Sequence, residues 1–297
     1  DEIRVLESQI KTYYQRLLFF SFLTKNRVSS IDDILSVIDN EDNIRLSNNL
    51  ALDKTVVEKI GKIMDPFKRS RLDYKIQNIS MLASDSTIEP LKRALISIKK
   101  FNRMSESEII TPSKVCDKMV SLLTEQDLKE IVENQDKFLD IASKSGEYTV
   151  SLYNRLTSGL GYSHEIVKDL FYSIPTSSIA YEFTRKFYEI LGLNVENIAI
   201  YYNAYDLINI KNDDDQIDCE KISSILKQKR VFSTITLDGE IEQGAKKVKF
   251  GAVIGNPPYQ EIISKSEGNR SLGKQLFPNF IKLSVELTDK YVCLITP

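Results

Sequence analysis

The sequence predicts an α/β fold with a doubly wound, mostly parallel sheet, preceded by an α-helical domain. Residues 1–104 carry apolar residues at helical spacing and almost no strand signal. From residue 105 onward, short apolar strands alternate with helices, as in parallel sheets with helices on both faces. A chain of 297 residues, 42% of them hydrophobic, suits one large or two ordinary domains. We therefore predict a helical domain over 1–104 and an α/β domain over 105–297.

Composition limits the classes of function. The net charge is -2, so the surface as a whole is not that of a nucleic-acid binder, although a local basic groove remains compatible with the sequence. Three distant cysteines and a single histidine, His164, disfavour a disulfide framework, a zinc site and a Ser/His/Asp triad, and no metal is expected. Because no apolar run approaches the roughly 18 residues of a membrane span and no signal peptide is present, we expect a reduced, cytoplasmic protein without membrane contact.

The helical domain is predicted to contain four to six helices. Apolar residues recur at spacings of three and four over residues 3–20, which predicts a first amphipathic helix. A second helix is expected to begin at the cap Ser30-Ile31-Asp32-Asp33, and a third to cover residues 55–64. Further helices are expected over 68–82 and 89–101.

The α/β domain is predicted to contain five strands separated by helices. The strands are expected at residues 137–142, 170–174, 198–202, 248–255 and 291–295. The main helices are expected at 114–123, 148–156, 179–191, 220–229 and 276–288, with a hairpin near Leu237-Asp238-Gly239. In such a sheet, ligands bind at the carboxyl ends of the strands.

The turn after the first predicted strand has the composition of a nucleotide site. Asp140 lies near the end of the strand, and Gly146 lies in the turn that leads into the next helix. The glycine would let the backbone approach a ligand, and the carboxylate would meet a polar or cationic part of that ligand. The turn is not a P-loop, because it contains no Gly-Lys-Ser/Thr sequence.

The tetrapeptide Asn256-Pro257-Pro258-Tyr259 follows the apolar strand that ends at Gly255. Its two prolines fix the backbone and remove two N–H donors, which leaves carbonyl groups free to accept hydrogen bonds. Asparagine adds an amide, and tyrosine adds a flat ring with a polar tip. This combination favours a receptor for a planar group that carries an amino substituent, and an ordinary surface turn is the structural alternative.

Taken in order, these signals resemble the motif series of adenine-N6 DNA methyltransferases. The series consists of Thr111-Pro112, Asp140-x-Ala142-x-x-x-Gly146-x-Tyr148, Asp206 at a strand end, and Asn256-Pro257-Pro258-Tyr259. The Thr-Pro segment precedes the glycine turn, an order similar to the gamma arrangement of type I and bifunctional type II restriction-modification proteins. The resemblance covers residues 105–297.

The resemblance implies a Rossmann-like sheet that binds S-adenosylmethionine. Asp140 and Gly146 match the motif that contacts the methionine part of the cofactor, and Asp206 matches an acidic residue near its adenine. The remaining cofactor-binding residues that the resemblance implies are Ile110, Thr111, Ala142, Thr176, Leu276 and Phe277.

The resemblance also implies the catalytic loop and its substrate, an adenine flipped out of double-stranded DNA. Asn256 and the Pro257 carbonyl would accept hydrogen bonds from the target amino group, Pro258 would keep the loop rigid, and Tyr259 would stack on the base. Two acceptors aimed at the amine stabilise the positive charge that develops on it during methyl transfer. Since a stacked base is inaccessible, it must be flipped, and stacking on an aromatic ring offsets about 1–3 kcal/mol of that cost.

The sequence departs from the family pattern at two places. Ile141 and Lys144 stand where the family usually has proline and glycine, and Thr176 and Ser177 occupy the turn where an acidic residue usually holds the ribose hydroxyls, with Glu182 a turn later. Two alternatives therefore remain open. One is a protein-glutamine methyltransferase, which shares the Asn-Pro-Pro-Tyr loop, and the other is a non-catalytic DNA-binding or assembly module with a degenerate cofactor site.

The ends of the chain suggest a fragment. The sequence begins inside a helical pattern and ends in a strand that runs into a loop. We expect a methyltransferase domain truncated at its C-terminus, with the helical domain as a connector. Nuclease and specificity domains or subunits are expected outside these residues.

Overall fold

A computed structural model describes residues 2–101, 103–104, 108–200, 202–227, 248–262 and 273–297 of the chain. The chain divides into two compact units, Asp1–Ser97 and Ile98–Pro297. The hairpin predicted near Leu237-Asp238-Gly239 lies outside the described residues, as does Tyr201 in one predicted strand. In the described residues, no helix combines the length and the apolar character that crossing a membrane requires.

The first unit is built from helices. Those described are α1 (Glu2–Leu23), α2 (Ile31–Val37), α3 (Glu41–Asn49), α4 (Lys54–Ile63), α5 (Pro66–Ser84) and α6 (Pro90–Lys100). The predicted cap at Ser30 is confirmed, because its hydroxyl accepts a hydrogen bond of 3.1 Å from the Asp33 N–H. Helices α1 and α5 pack together, and buried side chains such as Phe20, Ile34 and Leu72 form the core.

The second unit alternates strands and helices, as predicted. Its strands are β1 (Lys137–Ser143), β2 (Phe171–Pro175), β3 (Phe250–Gly255), β4 (Gln260–Ile262), β5 (Gly273–Gln275) and β6 (Tyr291–Leu294). Its helices are α7 (Ser113–Val120), α8 (Glu125–Glu133), α9 (Glu147–Asn154), α10 (His164–Val167), α11 (Ser178–Leu191), α12 (Ala204–Ile208), α13 (Cys219–Lys227) and α14 (Phe277–Leu287). Strands β4 and β5 form a separate antiparallel pair.

The main sheet is parallel, with the strand order β2-β1-β3-β6. Asp140 on β1 lies between Ser173 on β2 and Ile254 on β3. From β1 the chain first continues to β2 on one side and later returns to β3 and β6 on the other side. The strand order therefore reverses next to β1. A crevice at the carboxyl ends of the strands is expected at such a point.

Helices cover both faces of this sheet, which confirms the doubly wound fold. On one face, Leu139 and Ile141 of β1 join a core that includes Phe280 and Leu283 of α14 together with residues of α12 and α13. On the other face, the ring of Phe171 lies 6.2 Å from that of Tyr153 on α9, and Ser173 and Tyr188 of α11 place their hydroxyl oxygens 2.8 Å apart. The alternation of side chains along β1 and β2 produces the two faces.

The strand predicted over residues 198–202 is wrong in its extent. Ile198 forms a single parallel bridge with Ser173, and the preceding Val195–Asn197 is a 3-10 turn. Helix α12 then begins early, because Asn203 and Asp206 form a capping box with hydrogen bonds of 2.9 and 3.2 Å. Asp206 therefore lies in the first turn of a helix and not at the end of a strand.

Candidate functional site

The two predicted loops follow neighbouring strands at the centre of the sheet. Residues 143–146 continue from β1, and residues 256–259 continue from β3. Since β1 and β3 are parallel and adjacent, both loops start from the same edge of the sheet. Gly255 at the end of β3 makes this approach close, because a Cβ there would lie 3.3 Å from Ile141 Cγ2 and 3.5 Å from Asp140 Oδ1.

The turn after β1 is closed by its own hydrogen bonds. The Gly146 N–H donates to Ser143 Oγ at 2.9 Å, and the same hydroxyl lies 3.0 Å from Thr184 Oγ1 on α11. Gly146 has φ 77°, a left-handed conformation in which an L side chain is strained. Lys144 does not share that conformation and is 9% exposed, so the backbone of the turn accommodates a lysine at this position.

Asp140 is a buried carboxyl group at this edge. Its Oδ1 accepts a weak hydrogen bond of 3.4 Å from the Ala142 N–H, whereas its buried Oδ2 has no hydrogen-bond partner within the described part of the chain. Burial raises the pKa of Asp140 well above its ordinary value, and the nearby carboxylate of Glu147 raises the pKa further. An oxygen without a partner in such a place fits a ligand that brings a donor or a positive charge.

Glu147 connects the turn to the Thr-Pro segment. Its Oε2 accepts hydrogen bonds from the Ser145 N–H at 2.9 Å and from Ser145 Oγ at 3.1 Å. Its Oε1 accepts a hydrogen bond of 3.3 Å from the Thr111 N–H. Glu147 is also the first residue of α9, where the unpaired N–H groups of the helix favour a negative charge.

Asn256 is fixed by the same threonine. Its Nδ2 donates a hydrogen bond of 3.3 Å to Thr111 Oγ1. Among the described residues, no group donates to Oδ1 of Asn256 or to the carbonyl oxygen of Pro257. The loop therefore offers two acceptors, Asn256 Oδ1 and the Pro257 carbonyl oxygen. The hydrogen bond from Asn256 Nδ2 to Thr111 orients the amide.

The end of the loop at Tyr259 is fixed through its backbone, whereas its side chain is exposed. The Tyr259 carbonyl accepts a hydrogen bond of 2.9 Å from the N–H of Leu276, which is buried and directly precedes α14. Phe277, the first residue of that helix, is half-buried. The side chain of Tyr259 is 39% exposed, so its ring is accessible to a partner.

A second carboxylate lies at the end of β2. Glu108 Oε1 accepts a hydrogen bond of 2.6 Å from Thr176 Oγ1, and Glu108 Oε2 accepts one of 3.1 Å from Ser177 Oγ. The Thr176 N–H in turn donates to the Ser143 carbonyl at 3.0 Å, which joins the turns after β1 and β2.

Residues 108–111, which we call the crossing segment, therefore pass over the ends of three strands. Glu108 bonds to the turn after β2, and Thr111 bonds both to Glu147 after β1 and to Asn256 after β3. Between them, Ile110 is 3% exposed. Of the predicted site residues, Ile110 and Thr111 belong to this segment, and Thr176 and Asn256 are hydrogen-bonded to it.

Asp206 differs from the other predicted site residues. Its carboxylate accepts the Asn203 N–H in the capping box of α12, and its side chain is exposed. The described contacts connect it to none of the residues of the crossing segment or of the turn after β1. Its role at a cofactor remains a prediction.

Glu147 and Glu108 are not among the site residues that the sequence predicts. Both residues act through hydrogen bonds to positions 36 and 68 residues away, which no local pattern reveals. A signal existed for Glu147, because an acidic residue that directly follows a turn glycine and opens a helix is well placed for the helix dipole. For Glu108 the sequence contains no comparable signal.

One family model matches the part of the chain from just before β2 to residue 297. Residues 169–297 match the Eco57I restriction-modification methylases. The predicted resemblance to restriction-modification methyltransferases is confirmed. The Eco57I match includes Thr176, Asp206 and Asn256-Pro257-Pro258-Tyr259 and begins after the turn that contains Gly146.

One curated relative carries an adenine-specific description. An uncharacterized adenine-specific methylase of Mycoplasma pneumoniae (strain ATCC 29342 / M129 / Subtype 1) is 23% identical over 243 residues, which are 67% of this chain and 57% of the relative. The chain therefore spans little more than half the length of that protein.

Two solved structures are similar over most of the chain. A nuclease-deletion mutant of the Type ISP restriction-modification enzyme LlaGI, in complex with a DNA substrate mimic, has a TM-score of 0.44 and 13% identity, covering 92% of this chain and 24% of that one. A DrdV-DNA complex has a TM-score of 0.43 and 14% identity, covering 92% of this chain and 26% of that one.

Proposed function

We propose that this chain carries the catalytic domain of a DNA adenine-N6 methyltransferase that uses S-adenosylmethionine as part of a restriction-modification protein. The observation that carries the proposal is the connected path from Asn256 through Thr111 to Glu147. It joins the loop suited to a planar amine to the turn suited to a methyl donor. The Eco57I match and the adenine-specific description of the Mycoplasma relative support the same activity.

The residues at the end of β1 fit the cofactor. Asp140 Oδ2 is buried without a partner in the described residues, and the positions of Gly146 and Gly255 are ones that a larger side chain would strain or crowd. Asp140, Ala142 and Gly146 would hold the methionine part, with Ile110 and Thr111 above it, and Thr176, Asp206, Leu276 and Phe277 are proposed around the nucleoside. When bound, the cofactor supplies an electrophilic methyl group on a sulfonium centre.

The acceptor loop supplies the other half of the chemistry. Asn256 Oδ1 and the Pro257 carbonyl oxygen accept the two hydrogens of the target amine, which stabilises positive charge on its nitrogen. Thr111 holds the amide so that the oxygen, and not the nitrogen, is left for the amine. The exposed ring of Tyr259 stacks on the flipped adenine, while Pro258 keeps the loop rigid.

DNA is the proposed macromolecular partner, and further domains or subunits are proposed to read its sequence and cleave it. The two structural neighbours were determined with a DNA substrate mimic and with DNA. The arrangement of the crossing segment does not distinguish adenine in DNA from a glutamine in a protein. Adenine presents an amine on a planar ring, and glutamine presents a planar amide. The product of methyl transfer distinguishes them.

The test has two stages. Calorimetric titration of the 297-residue chain with S-adenosylmethionine is expected to show binding. The polypeptide that contains this chain is then incubated with methyl-labelled cofactor and adenine-containing DNA, and the product nucleosides are separated. Label in N6-methyladenine is the expected result. Label in protein glutamine, or no cofactor binding at all, would overturn the proposal.

A further inference from the structure

The turn after β2 lacks an acidic residue of its own but contains a carboxylate from elsewhere. In nucleotide-binding α/β folds, a carboxylate beyond the glycine turn accepts hydrogen bonds from ribose hydroxyls. Here Thr176 and Ser177 occupy that turn, and Glu108 from the crossing segment contacts both. The acidic group has been brought there from 68 positions earlier in the chain.

The position of Glu108 is well defined. Each carboxylate oxygen accepts one hydroxyl, at 2.6 Å from Thr176 and 3.1 Å from Ser177. Ser177 is itself fixed, because it is the N-cap residue of α11 and its hydroxyl accepts a hydrogen bond of 3.1 Å from the Ala180 N–H. The Glu108 side chain is 9% exposed, so the carboxylate lies at the sheet edge and not in bulk solvent.

The same turn is coupled to the proposed methyl-donor site. The Thr176 N–H bonds to the carbonyl of Ser143, whose side chain accepts the Gly146 N–H. The carboxylate of Glu108 is therefore connected through Thr176 to Ser143 of the glycine turn. A vicinal diol matches its present arrangement, in which two hydroxyl groups approach the two oxygens separately.

We propose that Glu108 is the group that recognises the ribose diol of the cofactor, with Thr176 and Ser177 as the residues that position it. This inference rests on the proposed function and adds to it a specificity-determining residue contributed by the crossing segment. The same segment carries Thr111, so one stretch of chain contacts both the proposed ribose site and Asn256.

A purely structural role for Glu108 makes a different prediction. If the carboxylate only ties the crossing segment to β2, its loss weakens every ligand of the site by the same factor. If it recognises the diol, its loss weakens ligands with both hydroxyls more than ligands that lack one. The comparison of two ligands therefore separates the roles even if the variant is less stable.

The experiment measures dissociation constants of S-adenosylhomocysteine and of its 2′-deoxy analogue for the full chain, for Glu108→Gln and for Glu182→Gln. Glu182 is the matched control, a buried glutamate on α11 one turn beyond the β2 turn. A hydrogen bond to a charged acceptor corresponds to roughly a tenfold or larger preference for the ribose compound in the unmodified protein.

Glu108→Gln is expected to reduce that preference to less than about threefold, with Glu182→Gln retaining it. Equal weakening of both ligands by Glu108→Gln, or loss of the preference in Glu182→Gln instead, would overturn this inference while leaving the proposed function intact. Failure of the unmodified chain to bind either compound would overturn both.

Discussion

The side-chain nitrogen of Asn256 donates to the hydroxyl oxygen of Thr111 at 3.3 Å, across 145 positions of the chain. The contact orients the amide at the start of the loop formed by residues 256–259, by means of the crossing segment. Because that segment also bonds to Glu147 through Thr111 and to Thr176 and Ser177 through Glu108, residues 256–259 and the turns after β1 and β2 are held as one unit.

Thr111→Val removes the hydroxyl that holds Asn256 and keeps the shape of the side chain. A neutral hydrogen bond contributes about 0.5–1.5 kcal/mol, so the rate of methyl transfer should fall about two- to tenfold. The affinity for S-adenosylmethionine should change less, since the Thr111 N–H that bonds to Glu147 remains. Single-turnover rates and calorimetry measure the two effects, with the exposed Thr55→Val as control. A loss of affinity without a loss of rate would contradict the proposed role.

Glu147→Gln should destabilise the second unit. The carboxylate accepts hydrogen bonds from two N–H groups and one hydroxyl, and a glutamine retains a single acceptor oxygen. Leaving buried donors without an acceptor costs about 1–3 kcal/mol, measurable as a lower urea midpoint. Glu220→Gln, at an exposed position of α13, should leave the midpoint unchanged. Equal midpoints for the two variants would show that the Glu147 contacts contribute nothing.

The pKa of Asp140 predicts how stability depends on pH. Because burial raises its pKa in the folded protein above the unfolded value, the folded state binds more protons in this window. The stabilisation from this group is present below the unfolded pKa and is lost as pH rises through the folded pKa. Asp140→Asn should flatten this part of the profile of unfolding free energy against pH. An unchanged profile in the variant would assign the dependence to another group.

The same carboxyl group links cofactor binding to proton release. A cationic ligand beside Asp140 favours its charged form, so binding below the raised pKa must expel a proton. Titrations in buffers with different ionisation enthalpies measure this release. Binding with no proton exchange at any pH near that pKa would place the positive charge of the ligand away from Asp140.

Gly146→Ala tests the turn itself. The φ of 77° is strained for an L residue, which costs about 1–2 kcal/mol, while the added Cβ would meet Thr184 Cγ2 at an ordinary 3.6 Å. Gly159→Ala, where φ is not left-handed and the nearest atom is Arg155 Cδ at 3.4 Å, should be close to neutral. Thermal unfolding compares the two. A neutral Gly146→Ala would show that the turn relaxes without loss.

The sequence was sufficient to predict the four strands of the main sheet, the two loops and the chemical type of their residues, because these depend on local periodicity and on turn-forming residues. It was not sufficient for contacts between distant segments. Glu147 and Glu108 acquire their places from hydrogen bonds across 36 and 68 positions. For Asp206 the predicted position at the end of a strand is wrong, because its capping box with Asn203 begins a helix. Lys144, which appeared unsuited to the turn, is accommodated because the left-handed conformation belongs to Gly146.

The most direct test is methylation of adenine-containing DNA by the polypeptide that contains this chain, with Asn256→Ala compared against Asn209→Ala, an exposed residue at the end of α12. We expect the unmodified protein and Asn209→Ala to form N6-methyladenine. For Asn256→Ala we expect a rate lower by about a hundredfold or more, as for removal of a transition-state hydrogen-bonding group, with cofactor binding retained. Undiminished adenine methylation by Asn256→Ala would show that Asn256 is not the acceptor of the target amine.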